Sequence, residues 1–413
     1  MIQWRQQSFW RLFSSLAVLV LAGLGLAWKP TQAANSSEAY VQNDCTAFWG
    51  PPQSAEAPYF PETNAVYWSW RYDATAPSAH NVAFRITGQF PYARNTSLHF
   101  YPNLNQGSAD NSLRDVDIVP AAGSVNPYLP GVNRRLTNRT YIAWLVPFDS
   151  PRIGQPNTLV ISADSDIATL MLRVYRADYG YQNGGVPVPT IEAVNDDTGQ
   201  SVPCPPNITN PPTEPVDLGA WPPAAKIVSF YHMAGEGYYP NDDNKYLVAV
   251  TDPSRFGQIL VLRFYPPTFL NTYQHPEAVF TGNEEVRYMS LCMGGQLTTH
   301  TSECVADDQF IRANSGYFNV IVGPDRADVR AAAQARGYNF IVWYSQSSPV
   351  LIYRHMRPRD NFTGSLGLVP VYNPRRPTAG QRAEDFIGIY APTGRYCAVN
   401  KFLSGSTCGM PAP

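Results

Sequence analysis

An ordered set of apolar runs occurs twice in this chain, and that duplication constrains the fold more than any single motif. Arg94-Asn-Thr-Ser97-Leu98 opens the set, Thr140-Tyr141-Ile-Ala-Trp-Leu-Val-Pro147 follows, and Thr169-Leu-Met-Leu-Arg173-Val-Tyr175-Arg-Ala-Asp178 closes it. The same order returns as Arg287-Tyr-Met-Ser290-Leu291, Gly316-Tyr317-Phe-Asn-Val-Ile-Val-Gly-Pro324-Asp325 and Val350-Leu-Ile-Tyr-Arg354-His-Met-Arg-Pro-Arg-Asp360. Three matches in order argue for one unit copied once. The runs have strand character. Val82-Ala-Phe-Arg-Ile-Thr87 alternates at period two, and turn signals such as Asn105-Gln-Gly107 and Asn183-Gly-Gly185 separate short apolar segments. Short strands with frequent turns and no long helical period predict a mainly β chain of two antiparallel β-sandwich or jelly-roll-like modules in tandem.

The N-terminal 33 residues read as a signal peptide. Arg5 and Arg11 precede an uncharged apolar run from Leu12 to Trp28, and Thr31-Gln-Ala33 offers a cleavage site before Ala34. Left uncleaved, this segment is the chain's only expected membrane attachment. The first module is expected over 34–205 and the second over 225–380, with 381–413 as a C-terminal extension. Between Pro203 and Pro223 the chain packs eight prolines, so 206–224 reads as a semi-rigid linker. One short helix is expected in the second module, from Arg326 to Arg336, preceded by Pro324-Asp325 and closed by Gly337. Six cysteines behind an export signal imply an oxidising compartment. Of the 15 connectivities that six cysteines allow, local order favours Cys45 with Cys204, Cys292 with Cys304, and Cys397 with Cys408. The first pair would join the first strand of its module to the last.

The runs Phe90-Pro-Tyr-Ala-Arg94-Asn-Thr-Ser97, Asp115-Val-Asp-Ile-Val-Pro120, Gly123-Ser-Val-Asn126-Pro127, Leu172-Arg173-Val-Tyr175 and Gly184-Gly-Val-Pro-Val-Pro189 resemble a group of uncharacterised secreted bacterial proteins. Val286-Arg-Tyr-Met-Ser-Leu-Cys292, Tyr317 to Pro324, Leu351-Ile-Tyr-Arg-His-Met356 and Ile387 to Cys397 extend that likeness. Both halves also resemble the β-rich domain of unknown function 1214, usually found beside domain 1254. The resemblance implies a fold and export, and carries over no catalytic residues.

The composition excludes some functions and leaves others open. Net charge is -2 with 15% charged residues, so no basic footprint for nucleic acid is present. The rows hold no H-E-x-x-H, G-x-S-x-G or Walker loop, and Gly235-Glu-Gly237 lacks the third glycine of a dinucleotide fingerprint. The histidines stand singly and no C-x-x-C occurs, so neither a metal site nor a cofactor is expected from motifs. Asp164-Ser-Asp166, Asp196-Asp197, Asn241-Asp-Asp243-Asn244 and Asp307-Asp308 offer hard oxygen ligands for calcium, without EF-hand spacing.

Two groups of residues are candidates for ligand binding. Trp68, Trp70 and Tyr72 share one face of an alternating aromatic strand, where they can stack on sugar rings or fill a sandwich core; the core is the stronger reading. Arg94 and Arg287 occupy equivalent repeat positions, as do Arg173 and Arg354. Arginines placed before duplication fit buried bonds to strand or loop carbonyls better than ligand contacts. Asp115 and Asn126 are the loop partners expected for Arg94. The function expected is therefore that of an exported, non-enzymatic binding protein of the cell envelope or exterior, with a glycan or an envelope component as partner. The alternatives are an envelope hydrolase using dispersed carboxylates on glycan or ester substrates, and a module that serves assembly alone.

Overall fold

The first copy of the repeat folds into eight strands: β1 (Ala65–Asp73), β2 (Val82–Gln89), β3 (Ala93–Tyr101), β4 (Ser112–Arg114), β5 (Thr140–Val146), β6 (Thr158–Val160), β7 (Ile167–Ala177) and β8 (Thr190–Asn195). The second supplies β9 (Ile227–Val228), β10 (Asn244–Val250), β11 (Gln258–Phe264), β12 (Tyr288–Gly295), β13 (Thr301–Ala306), β14 (Phe318–Gly323), α1 (Ala327–Ala335), β15 (Asn339–Val342), β16 (Pro349–Met356), α2 (Glu384–Ile387), β17 (Thr393–Ala398) and α3 (Val399–Leu403). This is a computed structural model, and it describes residues 42–52, 60–103, 111–209, 220–233, 239–252, 257–344 and 348–409. The expected signal peptide lies outside the described residues. So does the middle of the proline-rich segment.

Strand order establishes the duplication. Sheets β1-β7-β3-β4 and β10-β16-β12-β13 have the same order, as do β6-β5-β2-β8 and β15-β14-β11-β17, the last extended by β9. The register agrees too: Arg173 on β7 stands between Tyr67 and Ser97, and Arg354 on β16 between Tyr246 and Ser290. Each module is thus a β-sandwich, with one feature the sequence did not announce. The edge pairs β5–β6 and β14–β15 are parallel. A parallel pair needs a crossover, which α1 provides in the second module by packing Val329 and Ala333 onto the sheet through Ile259, Val261 and Ile321.

Burial separates inner sheets from outer ones. Strands β2 and β5 alternate between buried and part-exposed residues, as a sheet with one wet face does. Every residue of β3, β12 and β16 is buried. Both faces of these strands are covered, one by their own sandwich and the other by the opposite module. Tyr67, Tyr101, Met171 and Tyr175 of the first inner sheet cluster with Tyr288, Ala306 and Met356 of the second. The modules are in tandem in sequence but face to face in space, and all described residues belong to one compact unit.

The lead-in to each first strand crosses to the other module. Asn64 Nδ2 donates to the Cys304 carbonyl at 3.1 Å, while the Tyr101 hydroxyl donates to the Pro240 carbonyl at 2.8 Å. Arg173 donates to the Tyr239 carbonyl at 2.8 Å, and Arg354 donates to that of Phe60. Phe60 and Tyr239 share the left-handed backbone, with φ of 51° and 46°. Contacts in which residue i of one copy meets residue j of the other, and the reverse, are those of a two-fold interface.

All three expected disulfides form. Cys45 precedes β1 and bonds through its backbone to Ile191 of β8, so its link to Cys204 secures the flanks of β8 rather than the first strand to the last. Two boundaries also shift. Asn207 bridges to Tyr72 and Ile208 bonds to Arg71, so the segment after Cys204 is tied to β1 from its start. Residues beyond 380 are no appendage, because β17 sits between β11 and β9 within the second sandwich.

The Arg354–Glu62 pair joins the modules at 2.8 Å, with both side chains almost wholly buried. Removing one partner strands a buried charge, so Arg354→Met should cost about 3–5 kcal/mol. Adding Glu62→Gln should recover a large part of that loss in urea unfolding. A double variant no more stable than the single one would contradict a direct coupling.

Candidate functional site

The two-fold arrangement builds one ion-pair site twice at the module boundary. In the first copy, Arg94 of β3 donates to Asp307, just after β13, at 3.0 and 3.1 Å. Arg176 donates to Asp308 at 2.6 and 2.9 Å and to Asn64 Oδ1 at 3.0 Å. In the second copy the modules trade roles. Arg287, just before β12, lies 3.5 Å from Asp115, which follows β4, and Arg357 donates to Asp115 at 2.6 Å. The acids are held alike: Asp307 accepts from the Met289 N–H at 3.0 Å, and Asp115 from the Thr96 N–H at 3.3 Å. Arg176 and Arg357 both have positive φ, 48° and 47°. That conformation disfavours a side chain bearing a Cβ, and its retention at both positions turns each guanidinium across the boundary.

One copy is sealed and the other open. Residues 265–287 connect β11 to β12, whereas only residues 90–92 connect β2 to β3. The long connection lays Phe269 against Arg94, places the Thr272 hydroxyl 3.1 Å from Arg94 Nε, and stacks Tyr273 on Arg176 at 3.8 Å. Arg94, Asp307 and Asp308 are left with no more than 1% side-chain exposure. The short connection supplies no such cover at the second copy, where Phe280 of the long connection lies on Arg287 at 3.9 Å and Arg357 is left, among the described residues, without an aromatic lid. At the second copy a cleft of about 600 Å³ opens, lined by Arg287, Arg357, Arg359, Arg114, Lys245 and Asp243 among others. That volume is in the range of small-ligand sites.

Asp243 marks the difference between the copies. By register it occupies the position of Asn64, since Tyr67 and Tyr246 each face the central arginine; accordingly Arg176 N–H bonds to the Asn64 carbonyl and Arg357 N–H to that of Asp243, the latter at 2.7 Å. Asn64 is fully engaged, accepting from Arg176 and donating to Glu62. Asp243 is buried, lines the cleft, and neither carboxylate oxygen has a hydrogen-bond partner. The Ser97 hydroxyl beside it falls short of a hydrogen bond, whereas its counterpart Ser290 is bonded to Glu62. Burial pushes the Asp243 pKa up to about 6, with Arg357 opposing the rise and the nearby Asp115 adding to it. Natural structures rarely leave such a group unmet.

The residues singled out from sequence divide between core and boundary. Trp68, Trp70 and Tyr72 do share a face, but it is the sandwich core: Trp70 stacks on Tyr72 at 4.8 Å and meets the edge of Phe84 at 4.7 Å. No ring face is open to a sugar, because the opposite face of β1 is covered by the second module. Arg94, Asp115 and Arg287 do converge, with Arg287 Nη1 3.5 Å from the Arg94 carbonyl. Their pairing differs from that expected. Asp115 partners Arg287 and Arg357 of the other module, and Arg94 partners Asp307. Asn126 is a loop clip, donating to the carbonyls of Asp115 at 2.6 Å and Ile118 at 2.9 Å and accepting from Tyr128 N–H. From sequence, Asp243 reads only as part of an acidic cluster suited to calcium, and Lys245, Arg357 and Arg359 are not singled out. The signal lay in aligning the repeats, which sets Arg357 against Arg176 and exposes the Asn64-to-Asp243 change.

Of the acidic clusters considered for calcium, two have members engaged elsewhere, whereas Asp242 and Asp243 line the cleft. Asp307 and Asp308 bind arginines, and Asp196 binds Arg152. Among the described residues the one cluster with metal-ligand geometry is Glu62, Cys292 and Cys304. Its cysteines form a disulfide, so they offer no thiolate.

No protein family matches this chain, and no curated protein does. Among solved structures it is similar to an uncharacterized protein from Burkholderia cenocepacia, with a TM-score of 0.50 and 11% identity over 85% of this chain and 81% of that one. It is also similar to the structural-genomics target from Vibrio parahaemolyticus, with a TM-score of 0.42 and 11% identity over 78% of this chain and 89% of that one. The first likeness supports the β-rich fold and carries no activity.

The elevated pKa fixes the sign of a pH effect. The folded-state value, about 6, lies above the unfolded value of about 3.9. The folded state therefore holds the extra proton between those values, and stability falls as pH rises through that window. Asp243→Asn removes the penalty. It should stabilise the protein by on the order of 2–3 kcal/mol at pH 8 and by little at pH 4 in urea unfolding. Equal effects at both pH values would contradict an unmet carboxylate.

Proposed function

We propose that this is an exported, non-enzymatic binding protein that takes a small polar ligand in the cleft at its module boundary. One observation carries the reading: of two equivalent ion-pair sites, the copy left uncovered is the one whose wall carries a buried carboxylate without a partner. A group that costs free energy in the empty protein is well placed to recover it from a ligand. Export is supported by the three disulfides and by the N-terminal sequence pattern. No helix among the described residues is long and apolar enough to cross a membrane.

A hydrolase is the second reading, because Asp243 and Asp115 influence each other and Asp243 has a raised pKa, as a general acid requires. Glycoside hydrolysis needs a second carboxylate that reaches the sugar or its attacking water. Asp115 is fully buried, with its oxygens turned to Arg287, Arg357 and the Thr96 N–H. It cannot fill that role without dismantling the boundary, and a hydrolase would have to draw its second carboxylate from Asp242, Glu284 or Asp360 of the same cleft. Binding requires no such pair and is the better account.

Lys245 and Arg359 are exposed residues of the cleft rim, and no ion pair of the boundary uses them. Thermal-shift screening of the full chain against small polar metabolites should find a stabilising compound whose effect is reduced at least several-fold in Lys245→Ala/Arg359→Ala, with the ligand-free Tm unchanged. Stabilisation identical in the double variant would place the ligand elsewhere and overturn the reading. Protein recovered from an expressing cell should begin at Ala34 and lie outside the cytoplasm; an intact N-terminus on protein retained in the cytoplasm would contradict export.

A further inference from the structure

The chemistry of the open copy narrows the ligand class, on the premise that the cleft is a binding site. Its inner wall already balances charge: Arg287 and Arg357 face Asp115 and Asp243. A ligand with net charge would upset that balance. What the wall lacks is hydrogen bonding of two opposite kinds placed side by side. Asp243, ionised, accepts only, and both of its oxygens are unmet. Arg357 donates only, and one of its nitrogens serves Asp115 while the rest of the guanidinium borders the cleft. The two residues are joined by a 2.7 Å backbone hydrogen bond from Arg357 to Asp243, yet their side chains do not bond to each other.

A hydroxyl group both donates and accepts, so one hydroxyl can serve an acceptor-only and a donor-only group at once. Two adjacent hydroxyls present two donors to the two oxygens of a carboxylate and two acceptors to a guanidinium. An ammonium group would satisfy Asp243 alone, and a carboxylate would satisfy Arg357 alone. Pro358 and Leu368, the latter 53% exposed, give the cleft an apolar flank that suits the C–H face of a ring.

We infer that the open copy binds a neutral saccharide through a vicinal pair of hydroxyls, which donate to Asp243 and accept from Arg357. The sealed copy cannot do so: Asn64 and Arg176 are bonded to each other there, and Tyr273 lies over the guanidinium. Sugar recognition thus falls to polar atoms at the boundary and not to the buried aromatic strand.

Isothermal titration of the full chain at pH 7.5 tests this with glucose, galactose, mannose, N-acetylglucosamine and their common disaccharides. Glycine serves as the zwitterionic comparator and glucuronate as the anionic one. At least one neutral saccharide should bind, and Asp243→Asn should weaken it tenfold or more while melting no lower than the parent at that pH, so that the loss is not one of folding. Binding should also weaken as pH falls below about 6, where Asp243 takes up its proton. If only glycine or glucuronate binds, and does so through Asp243, the saccharide assignment is overturned while the cleft remains a binding site. If a saccharide binds with equal affinity to Asp243→Asn and to Lys245→Ala/Arg359→Ala, both readings fail. Absence of binding by every neutral saccharide in the set overturns the assignment.

Discussion

Each inner sheet carries an arginine in the middle of its central strand, and the need to solvate that charge away from water organises the molecule. Arg173 and Arg354 are 3% exposed. Neither lead-in strand of its own module supplies the partner. Arg173 is met by Tyr239 and Arg354 by Phe60 and Glu62, all from the opposite module. A buried charge left without a partner costs several kcal/mol, so when docking strips each arginine of water the opposite module must supply its partner. An isolated module would instead expose that otherwise apolar and aromatic face to water. The exchange of lead-in segments, the left-handed backbone at Phe60 and Tyr239, and the traded pairs Arg94–Asp307 and Arg287–Asp115 all follow from satisfying each copy with the other.

Duplication alone would give two identical boundary sites, and loop length breaks the identity. The 265–287 connection is long enough to bring Phe269, Thr272 and Tyr273 over one site, while 90–92 can only turn the chain from one strand to the next. The change of Asn64 to Asp243 then separates the copies chemically. In the covered site the amide is bonded to Arg176, Glu62 and the Cys304 carbonyl. In the uncovered site the carboxylate waits beside a guanidinium already turned to Asp115. The amide stands on the side where water is excluded, and the carboxylate stands where the cleft opens.

Much of the fold could be read from the sequence because its cues are local or pairwise in order. Period-two alternation located β2, Ala-rich composition before Gly337 located α1, and the cysteine order predicted the three bonds. The repeat located Arg94 and Arg287 as equivalents; the carbonyl partners expected of the paired arginines are found at Arg173 and Arg354, whereas Arg94 and Arg287 pair with acids. The face shared by Trp68, Trp70 and Tyr72 was legible, and its environment is the sandwich core, the stronger of the two readings; what alternation does not say is that another module covers the opposite face. Asp115 was rightly tied to an arginine of this repeat position and assigned to the wrong copy, because a reciprocal exchange is invisible until the modules are placed against each other. The parallel edge strands β6 and β15 and the incorporation of β17 were missed for a related reason: short strands carry little periodicity, and their pairing is fixed by distant partners. Asp243 reads as one more turn-forming acid until Asn64 is set beside it.

Neither copy is complete without the other. The most direct measurement of this dependence is the unfolding of the first module, residues 42–209, expressed alone with the Cys45–Cys204 bond intact and followed by circular dichroism in urea. The exchange predicts no cooperative transition, or one shifted far below that of the full chain and restored in part by adding the second module. A separate first module that unfolds cooperatively at the same urea concentration as the full chain would contradict it.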